Sequence, residues 1–180
     1  MKKFEEKTID TKKIFDGKVI KLQVDSVTLP DGNTSKRELI KHPGAVAIIA
    51  LTEENNIVFV EQYRKALEKT ILEIPAGKLE DGEAPEVTAK RELEEETGYT
   101  TDHLELVTSF YTSPGFADEL VYVYFTNRLK RLQEDIAGDD DEFVEKYELP
   151  LEEAERLMEE KRIHDAKTAY ALLYLKSRGE

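Results

Sequence analysis

From Lys18 the chain alternates, with Ile20, Leu22 and Val24 on one side and Lys21, Gln23 and Asp25 on the other, and this two-residue period predicts a half-buried strand. Pro30-Asp31-Gly32-Asn33 reads as a turn, and Thr34 to Lys41 as the returning strand of a hairpin. Residues 1–17 are polar and charged with little periodicity, which predicts an arm or a short edge strand. His42-Pro43-Gly44 then breaks the pattern. It divides the chain into an N-terminal arm and hairpin, residues 1–43, and a main body, residues 44–180.

In the main body, Ala45 to Leu51 is almost continuously apolar, as a strand covered on both faces would be. Ile57 to Tyr63 runs back beside it, and Ile71 to Ile74 delivers the chain to a Pro75-Ala76-Gly77 corner. Further strands are expected at His103 to Tyr111 and Leu120 to Asn127, the latter rich in β-formers. Residues 128–142 leave regular structure, and Phe143 to Leu149 reads as a last strand. Leu151, Ala154, Leu157 and Met158 share one helical face; Asp165 caps a second helix with Ala169, Leu172 and Leu173 on its buried side. The pattern is that of an α/β domain, a mixed sheet with helix laid on it.

At 180 residues the chain is long enough to bury a core without staples, and it contains no cysteine, so neither a disulfide framework nor a thiol nucleophile is available. The start, MKKFEEKTIDTKK, has no apolar run behind its basic opening, and a soluble, cytoplasmic protein is expected. A net charge of −13 argues against long nucleic acid as partner. A small polyanion remains possible if metal ions and a few arginines compensate locally.

The chemistry concentrates in Gly77 to Tyr99, GKLEDGEAPEVTAKRELEEETGY. Glu83 opens a helix, Pro85 falls in its first turn, and Gly98 supplies the stop. Pro85, Ala89 and Leu93 make a narrow apolar face, with Glu92 and Glu96 at its edge and therefore held near the protein body. Arg91 can reach Glu95 one turn on. Glu92, Glu95 and Glu96 repel one another on one strip, so either the strip is solvated or a multivalent cation lies against it. Backbone carbonyls of the Pro75-Ala76-Gly77 corner could face the same cation.

This stretch resembles the Nudix box, Gx5Ex7REUxEExGU with U bulky and apolar or aromatic, and matches at Gly77, Glu83, Arg91, Glu92, Leu93, Glu95, Glu96, Gly98 and Tyr99. The resemblance implies an α/β/α sandwich around a mixed sheet, and hydrolysis of a nucleoside diphosphate linked to another moiety. It implies Mg2+, or Mn2+ in its place, held by Glu92, Glu96 and the Ala76 carbonyl, with Arg91 and Glu95 in supporting roles.

Three features outside the box narrow the expected substrate to ADP-ribose, cleaved to AMP and ribose 5-phosphate. Pro114, in Ser113-Pro114-Gly115, lies fifteen residues past Tyr99, a position that marks the ADP-ribose pyrophosphatase branch of the family. Arg64 ends a Gln62-Tyr63-Arg64 run similar to that of the same branch, and a guanidinium there suits bidentate contact with a diphosphate. The N-terminal hairpin resembles strands through which such enzymes pair as homodimers, where Arg37 and Glu38 could reach a partner's nucleotide. A general base is expected on the acidic loop Asp139-Asp140-Asp141-Glu142, with Glu142 first, Glu145 in reserve and a metal role for Asp141 open. His42, His103 and His164 are scattered and read as structural or surface residues. Rival expectations are another Nudix substrate, such as a nucleotide sugar or dinucleoside polyphosphate, and a nucleotide-binding regulator without catalysis. The intact box argues against the regulator.

Overall fold

The computed structural model describes residues 3–134, 136 and 143–179. These form two compact units, one of Met1–Gly44 with Phe110–Val121, the other of Ala45–Ser109 with Tyr122–Glu180.

The first unit is built on an antiparallel sheet of β1 (Lys7–Asp16), β2 (Lys21–Thr28) and β3 (Thr34–Lys41) in that order. The hairpin expected between residues 18 and 41 is therefore present as β2 and β3. The preceding segment, read from its weak periodicity as an arm or short edge, is a ten-residue strand with two register shifts against β2. All of β1 is exposed, including Ile9 and Phe15 at 61% and 56%, so no burial pattern could mark it in the sequence. Inside this sheet the buried Asp25 accepts hydrogen bonds from Thr8, Thr11 and Gln23 side chains at 3.2, 2.9 and 2.8 Å.

The Ser113-Pro114-Gly115 turn also belongs to the first unit, although the sequence placed it with the main body. It is closed by amides of Phe116 and Ala117 donating to the Ser113 carbonyl. Asp118 fastens it to the end of β3, accepting from Lys41 Nζ at 2.8 Å and the His42 amide at 2.9 Å.

The second unit contains β4 (Ala45–Ala50), β5 (Ile57–Arg64), β6 (Lys69–Glu73), β7 (Ala76–Lys78), α1 (Pro85–Thr97) and β8 (Tyr99–Thr100). After β9 (Glu105–Tyr111) and β10 (Leu120–Thr126) come β11 (Lys130–Arg131), β12 (Val144–Leu149), α2 (Leu151–Glu159) and α3 (Ala166–Arg178). Strand orders are β7-β4-β10-β9 and β12-β5-β6, with β11 paired to β8. The last pair was not foreseen, because two-residue strands carry no periodicity; Lys130 lies opposite Thr100 and Arg131 opposite Tyr99.

Helix α1 packs on β4 and β7 through Ala89 and Leu93, both fully buried with Val46, Ile48, Ala50 and Val58. A fully buried leucine of this kind contributes about 1.5–3 kcal/mol. On the other side α2 and α3 pack on each other, and α3 bonds the end of β6, where the Ile74 amide donates to Thr168 Oγ1 at 3.1 Å. The architecture is the expected α/β/α sandwich. Asp165 caps α3 as its position predicts, accepting from the Thr168 amide at 3.2 Å. The buried stripe of α3 is Thr168, Ala171, Leu172 and Leu175, while Leu173, expected inside, is exposed. Helical phase explains the correction, since one residue moves the side chain by about 100°.

Candidate active site

The site begins with the backbone between β6 and α1. Antiparallel pairing sets Ala47 opposite Ala76 and Val46 opposite Gly77. The Ile48 amide donates to the Pro75 carbonyl at 2.8 Å, and the Ala76 amide donates to Glu96 Oε2 at 3.0 Å. With Ile74 bonded to Thr168, three consecutive residues of this corner are tied to three different elements. A rigid corner results, and one of its tethers is a carboxylate of the box.

Helix α1 has Pro85 at its start and closes on Gly98, whose φ of 68° lies in the left-handed region that glycine enters at little cost. The strip read from sequence is bent inward: Glu92 and Glu96 are buried, at 7% and 9% exposure, alongside Ala89 and Leu93. Glycine at 77 is required by this closeness, since a Cβ there would lie 1.9 Å from Glu92 Cδ.

Arg91 links the carboxylates. Its NH1 stands 2.9 Å from both Glu92 Oε1 and Glu95 Oε2, and its NH2 is 3.3 Å from Glu83 Oε2. Burial alone would lower the guanidinium's pKa; the charge of Glu92 and the bonds from Glu83 and Glu95 outweigh it and hold it above its ordinary value. Glu83 also accepts from Thr88 Oγ1 at 2.7 Å, and this bond, aided by Arg91, keeps its carboxyl below the usual range. Arg91 thus orients carboxylates from two parts of the box, and offsets part of the repulsion that three glutamates on one strip would otherwise impose.

A divalent cation is the group this motif implies, and the residues present fit one. Glu92 and Glu96 supply buried oxygen donors of the hard type that Mg2+ and Mn2+ take. Glu96 reaches the Ala76 backbone, and the missing side chain at Gly77 leaves the space into which Glu92 folds. Among the described residues, no three His, Cys, Asp or Glu side chains form a ready-made ligand group.

Beside the strip lies a cleft of about 510 Å3 lined by Glu95, Glu96, Glu61, Tyr63, Thr70, Phe143, Val144 and Glu145. Glu145 pairs in register with Glu61 across β12 and β5. Glu61 is held by Arg162 and by Tyr147 Oη at 3.3 Å. Desolvation, then the charges of Glu61 and Glu145, push the Tyr147 hydroxyl up.

The fold therefore brings Ala76, Arg91, Glu92, Glu95 and Glu96 together, and Glu145 lines the same cleft as the last two. Arg64 is not among the cleft residues. It follows Tyr63 on β5 and its Nε donates to Glu73 Oε2 at 2.5 Å. Two-residue alternation accounts for the difference and was legible in Glu61-Gln62-Tyr63-Arg64, where the first and third residues share one face and the second and fourth the other. That same alternation could have found Glu61 and Tyr63, which the sequence reading left without roles. Arg37, Pro114 and Gly115 belong to the first unit, where Arg37 is engaged by Glu6 through Nε at 2.9 Å and NH2 at 2.6 Å. Glu142, with Asp139, Asp140 and Asp141, lies outside the described residues. His42 and His164 take part in local polar contacts, at 3.7 Å from Glu119 and 3.4 Å from Lys69.

Comparison with known proteins agrees with this geometry. The NUDIX domain family matches residues 41–172. The chain is 60% identical over 174 residues to a methanol dehydrogenase activator of Bacillus methanolicus, covering 97% of this chain and 94% of that one. It is 59% identical over 175 residues to an ADP-ribose pyrophosphatase of Bacillus subtilis (strain 168), covering 97% and 95%. A crystal structure of an ADP compounds hydrolase superposes with a TM-score of 0.83 at 19% identity over 97% of this chain and 96% of its own, a likeness of fold. No helix among the described residues is long and apolar enough to cross a membrane. With an intact box, the buried carboxylates it predicts and a family match over most of its length, this chain belongs to the Nudix family.

Proposed function

We propose that this protein hydrolyses the diphosphate bond of ADP-ribose, giving AMP and ribose 5-phosphate, with Mg2+ as the preferred cation and Mn2+ able to replace it. The observation that carries the proposal is the 59% identity over nearly the full length to an ADP-ribose pyrophosphatase, joined to buried Glu92 and Glu96 beside a cleft. The cation, held by Glu92, Glu96 and the Ala76 carbonyl, neutralises the diphosphate and makes water more acidic when bound. Arg91 keeps Glu92 and Glu95 in place through its paired bonds. A carboxylate on the segment before or within β12 takes the proton of the attacking water; Glu142 is the first choice, and Glu145, which lines the cleft, the second. Arg64 binds the diphosphate, and Pro114, Gly115 and Arg37 contribute to substrate recognition in a homodimer formed through the N-terminal strands. The exposed Ile9, Ile14 and Phe15 on β1 support that pairing, because a sheet leaving such residues in water gains by covering them.

A product assay with purified protein, Mg2+ and a panel of ADP-ribose, nucleotide sugars and dinucleoside polyphosphates tests the proposal. AMP and ribose 5-phosphate released from ADP-ribose with the highest kcat/KM is the expected result; preference for another substrate would redirect it within the family. A second role is favoured by the 60% identity to a methanol dehydrogenase activator: enhancement of a dehydrogenase's turnover. Adding the protein to a methanol dehydrogenase assay and finding no rate change would dismiss that role.

A further inference from the structure

A carboxylate with no part in the box lies deep in the second unit. Glu73, the last residue of β6, is 3% exposed and is bonded by two cations. Its Oε2 accepts from Arg64 Nε at 2.5 Å, and its Oε1 accepts from Lys167 Nζ. Lys167 in turn reaches Asp165 Oδ1 at 3.0 Å, the same oxygen that caps α3. The result is a chain of alternating charge, Arg64, Glu73, Lys167, Asp165, running from the end of β5 to the first turn of α3. Its exposure falls from 38% of the Arg64 side chain to 4% of Glu73, so one end of the chain is wet and its centre is dry.

We infer that Glu73 is the positioning residue of Arg64, holding the guanidinium by Nε so that its two terminal nitrogens form a fixed fork for the substrate's diphosphate. The inference rests on the proposed role of Arg64. Three observations support it. A carboxylate buried in this way is costly unless paired, so Glu73 and the two cations that bond it hold one another in fixed places. The bond uses Nε alone, and among the described residues no protein acceptor takes the terminal nitrogens, which are the pair best shaped for bidentate phosphate contact. Finally, Glu73 is itself fixed at both ends. Lys167 holds its other oxygen, and the next residue, Ile74, is bonded to Thr168 on the same turn of α3. Rigidity in the support is what makes a long side chain such as arginine selective, because the entropy of ordering it is removed before the ligand arrives.

The test is steady-state kinetics on ADP-ribose with Mg2+ for the parent and for Arg64→Ala, Glu73→Gln, Glu73→Asp and Glu73→Gln combined with Arg64→Ala. Turnover by the parent checks the proposed activity before any variant is compared, so its failure is seen separately. The expected result is a KM raised about tenfold in Glu73→Gln with kcat within about twofold, the loss due to one charge-assisted hydrogen bond. Glu73→Asp, which retains the charge for Lys167 but shortens the reach to Arg64, should shift KM the same way should Glu73→Gln fail to fold. In the combined variant KM should match that of Arg64→Ala alone, since a residue that acts only through Arg64 has nothing left to position. Effects that multiply instead, or a lower melting temperature with KM unchanged, would overturn the inference. An unchanged KM in Arg64→Ala would overturn it together with the role of Arg64.

Discussion

Helix α1 and strand β1 depart from the usual rule of burial in opposite directions. On α1, Glu92 and Glu96 are buried while Val87 is 55% exposed; on β1, Ile9, Ile14 and Phe15 face water while the sheet beneath it buries Asp25. A buried carboxylate and a cluster of exposed large apolar side chains are each unfavourable for an isolated chain. The difference lies in how each is compensated within the chain. Around α1 the compensation is elaborate: Arg91 bridges Glu83, Glu92 and Glu95, and Glu96 is bonded by the Ala76 amide. On β1 it is slight: threonine hydroxyls bond Asp25, an exposed Asp16–Lys21 pair joins it to β2, and an Arg37–Glu6 pair lies just before it. Exposed pairs of that kind contribute about 0–1 kcal/mol. One region gathers buried carboxylates around a fixed backbone corner; the other leaves large apolar side chains on an open strand.

Removing a carboxylate of the first region should be the most damaging change. Glu96→Gln keeps an oxygen for the Ala76 amide but loses the charge, and is expected to lower kcat on ADP-ribose by about a thousandfold, the scale of lost electrostatic stabilisation. Its melting temperature without added metal should match or slightly exceed the parent's, because one of three like charges is gone. Parent-like turnover in this variant would refute the metal assignment. A smaller effect, about 100-fold in kcat with KM little changed, is expected for the general base. Measuring Glu142→Gln beside Glu145→Gln decides between them, and a loss confined to Glu145→Gln would move the base to β12.

These regions were not equally legible in the sequence. The box could be read almost completely, since a helix fixes which residues share a face and Pro85 and Gly98 fix its ends, so Glu92 and Glu96 could be placed at the buried edge before any coordinates. The continuous apolar run gave β4, whereas β5, read as its returning neighbour, pairs with β12 and β6 in a different sheet and meets the end of β4 at the isolated Leu51–Ile57 bridge. What could not be read depends on partners distant in the chain. Glu73 looks like any strand-end glutamate until Lys167, 94 residues on, is seen to hold it. Strand β1 was obscured because its stability comes from backbone pairing with β2 and not from a buried face, which is the signal that periodicity detects. Arg64 was placed by resemblance to a short run, and its bond to Glu73 on the neighbouring strand is of the same kind, invisible until the strands are paired.

The second region yields the next test. Replacing Ile9 and Phe15 together by serine removes apolar surface that contributes little to the isolated chain, so folding should survive with a change in melting temperature of a few degrees. If β1 is covered by a second copy, sedimentation at micromolar concentration should show a shift from dimer toward monomer. A parent that is already monomeric would end the proposed pairing, and a variant that stays dimeric would place the interface elsewhere.

The smallest expected effect separates the regions by pH. Glu83 bonds Thr88 and Arg91 in the folded protein, and its carboxyl is held below its ordinary value of 4.5. A group with a depressed folded pKa stabilises the protein above the unfolded pKa and ceases to do so as pH falls through the folded one. Glu83→Gln should therefore melt slightly below the parent at about pH 7, with the difference shrinking in acid as the pH falls below the ordinary value and through the depressed one. The Ile9 and Phe15 substitutions introduce no titrating group, so any change they cause in the protomer's melting temperature should be similar at neutral and acid pH. Thermal melts of the three proteins across this range provide the check. A Glu83→Gln difference that persists unchanged in acid would mean that the variant acts through packing around Thr88 and not through the charge that Arg91 shares among its carboxylates.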